Sequence, residues 1–170
     1  MRRFLPFVAS CLCSGVIMVA PLPALAAAIK GKPAPAISLP AVSGAKVDLA
    51  ALRGKVILAD FFATWCGPCR DAIPHLNDLQ RRLGSKGLQV IGLSVDDPDD
   101  LRLVKEFVVA KQINYPVAIT TEALRDDYSL RSVPVLYVID KKGTLVEVFR
   151  GLNSDVKKRL DELLQKLLAN

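Results

Sequence analysis

Histidine is nearly absent from this chain of 170 residues: His75 is the only one. A structural zinc site asks for four protein ligands, and two cysteines with one histidine fall short of that. His75 lies six residues beyond Cys69 and nine beyond Cys66, so on a helix it would stand about 120° and about 180° around the axis from them. It reads as a surface residue, and no metal is expected. Covalent haem is excluded too, because Arg70 rather than histidine follows Cys69. The formal charge of +6 includes Arg2 and Arg3; without them 21 basic residues face 17 acidic ones, and no basic cluster is interleaved with aromatics. Nucleic acid is therefore not an expected partner. Repeats and low-complexity tracts are missing, and 170 residues, 51% of them hydrophobic, suffice for one domain but not two. A monomer is the expectation.

Residues 1–26 read as a secretory leader: Arg2 and Arg3, an apolar stretch from Phe4 to Ala20, and Ala24-Leu25-Ala26 as a small-residue cleavage site. The rest, 27–170, is the folded domain. An uncleaved anchor competes, since the apolar stretch is only slightly shorter than a bilayer span. In either case the arginines stay cytoplasmic and the domain lies outside, in a periplasmic or other extracytoplasmic space, with a possible tether to the inner membrane. A lipoprotein leader ending at Cys11 is the weaker alternative, because a long apolar run follows it. The paired arginines resemble a twin-arginine leader, yet no cofactor that needs loading before export is indicated. Cys11 and Cys13 fall in the leader, so the domain keeps only Cys66 and Cys69. A bridge closing so short a loop stabilises little, and the pair reads as redox-active rather than structural.

The chain is organised around Val56-Ile-Leu-Ala-Asp-Phe-Phe-Ala-Thr-Trp-Cys-Gly-Pro-Cys-Arg70. Val56 to Ala63 is apolar except at Asp60, as in a central strand covered on both faces. Gly67 and Pro68 suit a sharp strand-to-helix junction, Pro because its missing N–H is no loss in a first helical turn. Thiols at i and i+3 on a helical turn lie about 60° apart and can close a small disulfide ring. Cys66 would sit where free backbone N–H groups and the helix dipole favour thiolate, which makes it the nucleophile. Cys69, one turn further in, would resolve the mixed disulfide. Asp60 is either a buried acid or a point of local exposure. If buried, its raised pKa suits a proton acceptor for Cys69. Trp65 is either plain core or part of the surface that meets substrate.

Trp65-Cys66-Gly67-Pro68-Cys69 is the motif of thioredoxin-like proteins, and the chain resembles that family from about Lys30 onward. Asp60 matches the family's buried acid, Pro74 the proline inside its active-site helix, Val133-Pro134 its cis-proline loop, and Gly151 a glycine after the last strand. The lead-in Gly31 to Leu39 and Leu52-Arg-Gly-Lys55 resemble the exported TlpA and ResA type. Ala72 stands where many exported relatives carry glutamate, and Val133 where threonine is common. The resemblance implies an α/β thioredoxin-like fold: a central mixed β-sheet flanked by helices, with an extra strand–helix insertion before the cis-proline. It also implies that Pro134 faces Cys66, blocks metal capture, and lets the backbone of Val133 pair with an extended substrate.

Hydrophobic periodicity outlines the remaining elements. Lys46 to Leu49 reads as a short edge strand after an extended lead-in. Arg70 to Leu83 is a helix bent at Pro74, with Ile73, Leu76, Leu79, Gln80 and Leu83 at helical spacing. Leu88 to Val95 is a strand. A helix capped by Asp97 should run from Pro98 to about Gln112, with Leu101, Val104, Phe107 and Val108 inward. Tyr115 to Thr120 and Glu122 to Leu130 form the insertion. Val135 to Asp140 and Thr144 to Arg150 make a hairpin, and a helix from Ser154 closes the chain.

The expected function is exported thiol–disulfide exchange by Cys66 and Cys69, with no cofactor beyond their redox-active disulfide. Gly67-Pro68 resembles the dipeptide of reducing thioredoxins, which favours a reductant of protein disulfides over an oxidase or isomerase on the same site. The resemblance implies apocytochrome c among the substrates and a membrane-embedded electron donor of the thiol-transfer type. A peroxiredoxin would need threonine or serine where Ala63 stands. A copper metallochaperone would want cysteines spaced by three and a later histidine.

Overall fold

A computed structural model describes residues 28–169. The expected leader, 1–26, lies outside these residues. Among the described residues no helix is long and apolar enough to cross a membrane.

The run predicted to be a buried strand is β3 (Val56–Phe62), and every one of its residues is buried. β3 is the middle of a five-stranded sheet. β4 (Leu88–Ser94) lies parallel to it on one side and β5 (Val117–Ile119) parallel to β4 beyond that. On the other side β6 (Val135–Ile139) and β7 (Leu145–Arg150) add an antiparallel hairpin. The sheet is therefore mixed. The carboxyl ends of β3, β4 and β5 and the amino end of β6 share one edge.

Alternation along β3 divides the core. Leu58 and Phe62 face a cluster built with α1 (Gly67–Leu83), α2 (Leu101–Ala110) and α4 (Ser154–Ala169). Ile57, Ala59 and Phe61 face a second cluster under α3 (Glu122–Asp127) and the lead-in. That lead-in is more ordered than its prolines suggest. Ser38–Pro40 (β1) pairs antiparallel with Lys46–Asp48 (β2), so the strand expected at a sheet edge belongs to a separate two-stranded ribbon. The ribbon is held by Tyr128, whose hydroxyl donates to the Pro35 carbonyl at 2.9 Å, and by the backbone N–H of Val42, which donates to the Val117 carbonyl at 2.8 Å.

Three expectations are corrected. The α2 region opens as a 3-10 turn, Pro98–Asp100, with Asp97 as its cap, and α-helix begins only at Leu101. Leu101, expected inward, is 42% exposed: at the first position of α2 it lines an open groove with Pro40, Val42 and Ile119 beside the two-stranded ribbon instead of reaching the core. The helix ends at Ala110, and Gln112 adopts a left-handed φ of 50°. His75 is half-buried rather than open on the surface: its Nε2 lies 3.0 Å from Oδ1 of Asp161 on α4.

Candidate functional site: the Cys66–Cys69 pair

Cys66 is the N-cap of α1, and Gly67 and Pro68 form its first turn. The cap residue keeps an extended backbone, φ −80° and ψ 109°, and its sulfur accepts the Cys69 backbone N–H at 3.2 Å. Serine or aspartate oxygens commonly fill this role; a sulfur here is held against donors that a thiolate would satisfy. Cys66 and Cys69 are joined as a disulfide with Cα atoms 5.3 Å apart. Cys66 is 6% exposed and Cys69 1%, so the first is the one that another molecule can reach.

Trp65 stands out from this surface. It is 69% exposed between two buried neighbours, which settles its reading against plain core. Gly67 is half-buried and Pro68 exposed beside it. On the facing strand Val135 pairs with Phe61, so Val133-Pro134 arrives at the same sheet edge as the cysteines. That peptide bond is cis, Val133 is half-buried and Pro134 buried. Gly151, with φ 76°, donates its N–H to the Pro134 carbonyl at 2.9 Å and ties the end of β7 to this loop.

Asp60 is buried, 1% exposed, and alternation places it with Leu58 and Phe62 on the cluster that includes both cysteines. Among the described residues neither of its oxygens has a hydrogen-bond partner. Burial alone pushes its carboxyl up from 3.8 to about 7. A carboxyl with that value can take or return a proton near neutrality. Tyr115 is a neighbour: burial and then the Asp60 charge push its hydroxyl above the ordinary tyrosine value.

Sequence reasoning missed the hydrogen-bonded support of the loop that carries Trp65. Thr64 donates its backbone N–H to Asp96 Oδ2 at 3.0 Å and its hydroxyl to Oδ1 at 2.7 Å. Ser94 donates its hydroxyl to Asp96 Oδ2 at 2.5 Å and accepts the Asp96 N–H at 3.1 Å. The signal available in the sequence was Asp96 itself, a second acid just past an apolar strand and ahead of the helix-capping Asp97.

A redox-type cysteine pair closed as a disulfide at a helix N-terminus, a buried acid behind it and a mixed sheet in this strand order define the class: a thioredoxin-like thiol–disulfide oxidoreductase. Comparison with known proteins narrows this. The chain belongs to the AhpC/TSA family, whose model matches residues 30–148. It is 34% identical over 138 residues to a thiol-disulfide oxidoreductase named ResA from Bacillus cereus, covering 81% of this chain and 78% of that one. It is 31% identical over 136 residues to the thioredoxin-like protein YneN of Bacillus subtilis, covering 79% and 78%. Among solved structures, a thiol:disulfide interchange protein of the thioredoxin family from Chlorobium tepidum matches with a TM-score of 0.73 and 32% identity, covering 82% of this chain and 98% of that one.

Proposed function

We propose that this oxidoreductase works outside the cytoplasm as a reductant of protein disulfides, apocytochrome c among them, and that a membrane-embedded thiol donor recharges it. The observation that carries the reading is Cys66 at the helix cap beside the exposed Trp65, with Asp60 buried on the same side of the sheet. The leader-like residues 1–26 supply the export, as a cleaved peptide or as a tether.

In the reducing direction the Cys66 thiolate attacks one sulfur of a substrate disulfide, and the other sulfur leaves as thiolate. The mixed disulfide then holds the substrate against Trp65, Gly67 and Pro68, with the backbone at Val133 and Pro134 along its other side. Asp60 accepts the Cys69 proton. The Cys69 thiolate attacks Cys66 sulfur and expels the second substrate thiolate, so two electrons pass to the substrate and the Cys66–Cys69 disulfide remains. Since the exported space supplies few reducing equivalents, the disulfide must next be reduced by a dithiol fed from across the membrane.

The test uses a peptide of the Cys-X-X-Cys-His type with its cysteines oxidised. The reduced protein should reduce it catalytically when a dithiol donor is present. Cys69→Ser should stop at a stable mixed disulfide through Cys66, and Cys66→Ser should form none. Failure to reduce the peptide, with rapid oxidation of free dithiol peptides instead, would turn the reading to disulfide formation.

A further inference from the structure

The buried polar residues of the described chain are Asp60, Thr64, Ser94, Asp96 and Thr120, and all but Asp60 belong to one hydrogen-bonded belt. Thr120 donates both its N–H, at 2.8 Å, and its hydroxyl, at 2.9 Å, to the Ser94 carbonyl. Ser94 and Thr64 in turn donate to the carboxylate of Asp96. The belt thus runs across the carboxyl ends of β5, β4 and β3, directly under the segment that leads into Cys66. Asp96 is 3% exposed, acts only as an acceptor through its side chain, and no lysine or arginine among the described residues forms an ion pair with it.

A buried carboxylate without a cation is costly unless donors surround it, and three donors to one carboxyl group fix its orientation closely. Two of the three come from Thr64, two residues before the nucleophile. The consequence differs between redox states. In the disulfide, Cys66 is held covalently by Cys69. In the dithiol that bond is gone, and Cys66 is placed by its cap bonds on the helical side and by Thr64 on the strand side.

We propose that Asp96 is a positioning residue of the exchange reaction, which through Thr64 holds Cys66 within reach of Cys69 and Trp65 toward solvent when the pair is reduced. A looser segment lowers the effective concentration of one sulfur at the other, as any loss of preorganisation does. The disulfide then forms less readily and is reduced more easily. The effect is relative to the unmodified protein, so it rests on the exchange chemistry of Cys66 and Cys69 but not on whether the protein acts as reductant or oxidant.

The experiment measures the equilibrium of the couple in glutathione and dithiothreitol buffers, and kcat/KM for a protein disulfide, for Thr64→Val, Thr64→Ser and Asp96→Asn in the full chain. Thr64→Val keeps shape and charge and removes only the hydroxyl donor. It should make the disulfide severalfold less stable and lower kcat/KM in the same proportion. Asp96→Asn should do more, about tenfold, a shift of about 30 mV toward positive potential. Thr64→Ser keeps the donor and should restore the wild-type equilibrium. A purely structural role would lower the melting temperature and leave the equilibrium of the folded protein alone. The proposal is overturned if Thr64→Val and Asp96→Asn stay within twofold of wild type in that equilibrium, or if Thr64→Ser loses as much as Thr64→Val. Should Asp96→Asn not fold, Thr64→Val decides.

Discussion

Gly92 lies directly opposite Asp60 in the β3–β4 ladder, and the space a side chain would take there is already filled. A Cβ at Gly92 would stand 2.9 Å from Val117 Cγ2, 3.2 Å from Phe62 Cε1 and 3.3 Å from Tyr115 Cε2. All three belong to the cluster that includes the cysteines. The absence of a side chain is what lets this cluster close over Asp60. Gly92→Ala should therefore lower stability by about 1–3 kcal/mol through overpacking, measured as a fall in the denaturant midpoint with the slope unchanged.

The buried acid makes stability depend on pH in a defined window. Asp60 titrates at about 7 in the fold against an ordinary 3.8, so between these values the folded chain binds the proton more tightly than the unfolded one. Stability is therefore lost as pH rises through the window, by up to 1.36 kcal/mol per pH unit, and the loss is complete above about pH 8. Asp60→Asn should remove this dependence. It should be more stable than wild type above pH 8, by an amount on the order of 4 kcal/mol, and about equal to it near pH 3. Chemical denaturation across pH checks the sign.

The same substitution should slow exchange. If Asp60 takes the Cys69 proton, its loss should slow release of substrate from the mixed disulfide at pH 7 by about 100-fold, the lower part of the range for a positioned base. The rate in Asp60→Asn should then recover as pH rises and Cys69 ionises unaided. Stopped-flow measurement of the second step against pH separates this from an effect on the attack by Cys66.

Trp65 carries contact area without supporting the core, because it is 69% exposed. Trp65→Ala should leave stability within about 0.5 kcal/mol. It should raise KM for a protein disulfide severalfold and change the reduction of a small disulfide reagent little. A comparison of the two substrates reads the difference.

How much of this was legible in the sequence depends on whether the cause was local. The apolar run of β3, the junction at Gly67-Pro68 and the isolated acid at Asp60 are written in neighbouring residues, and the structure has them as buried strand, helix start and buried carboxyl. The hairpin of β6 and β7 followed from apolar runs and turn residues and the mixed sheet from the resemblance, whereas the order of the strands is set by long-range pairing that no local run of residues encodes. The belt under Cys66 was not legible, since Thr64 and Asp96 are separated by 32 residues and meet only because β3 and β4 are paired in register. Leu101 keeps helical spacing with Val104 and Val108, and periodicity does not tell that the first turn of α2 lies beside an open groove instead of on the core. The partial covering of His75 depends on where α4 lands, and no pattern within α1 announces that.

The measurement that bears most directly on the account is the reduction potential of the Cys66–Cys69 couple, equilibrated against glutathione and dithiothreitol buffers and read by alkylation of the free thiols. A dedicated reductant should give a value near or below about −250 mV, in the range of thioredoxin. A value near about −120 mV, in the range of DsbA, would contradict the reductant reading and make disulfide formation the work of the same two cysteines.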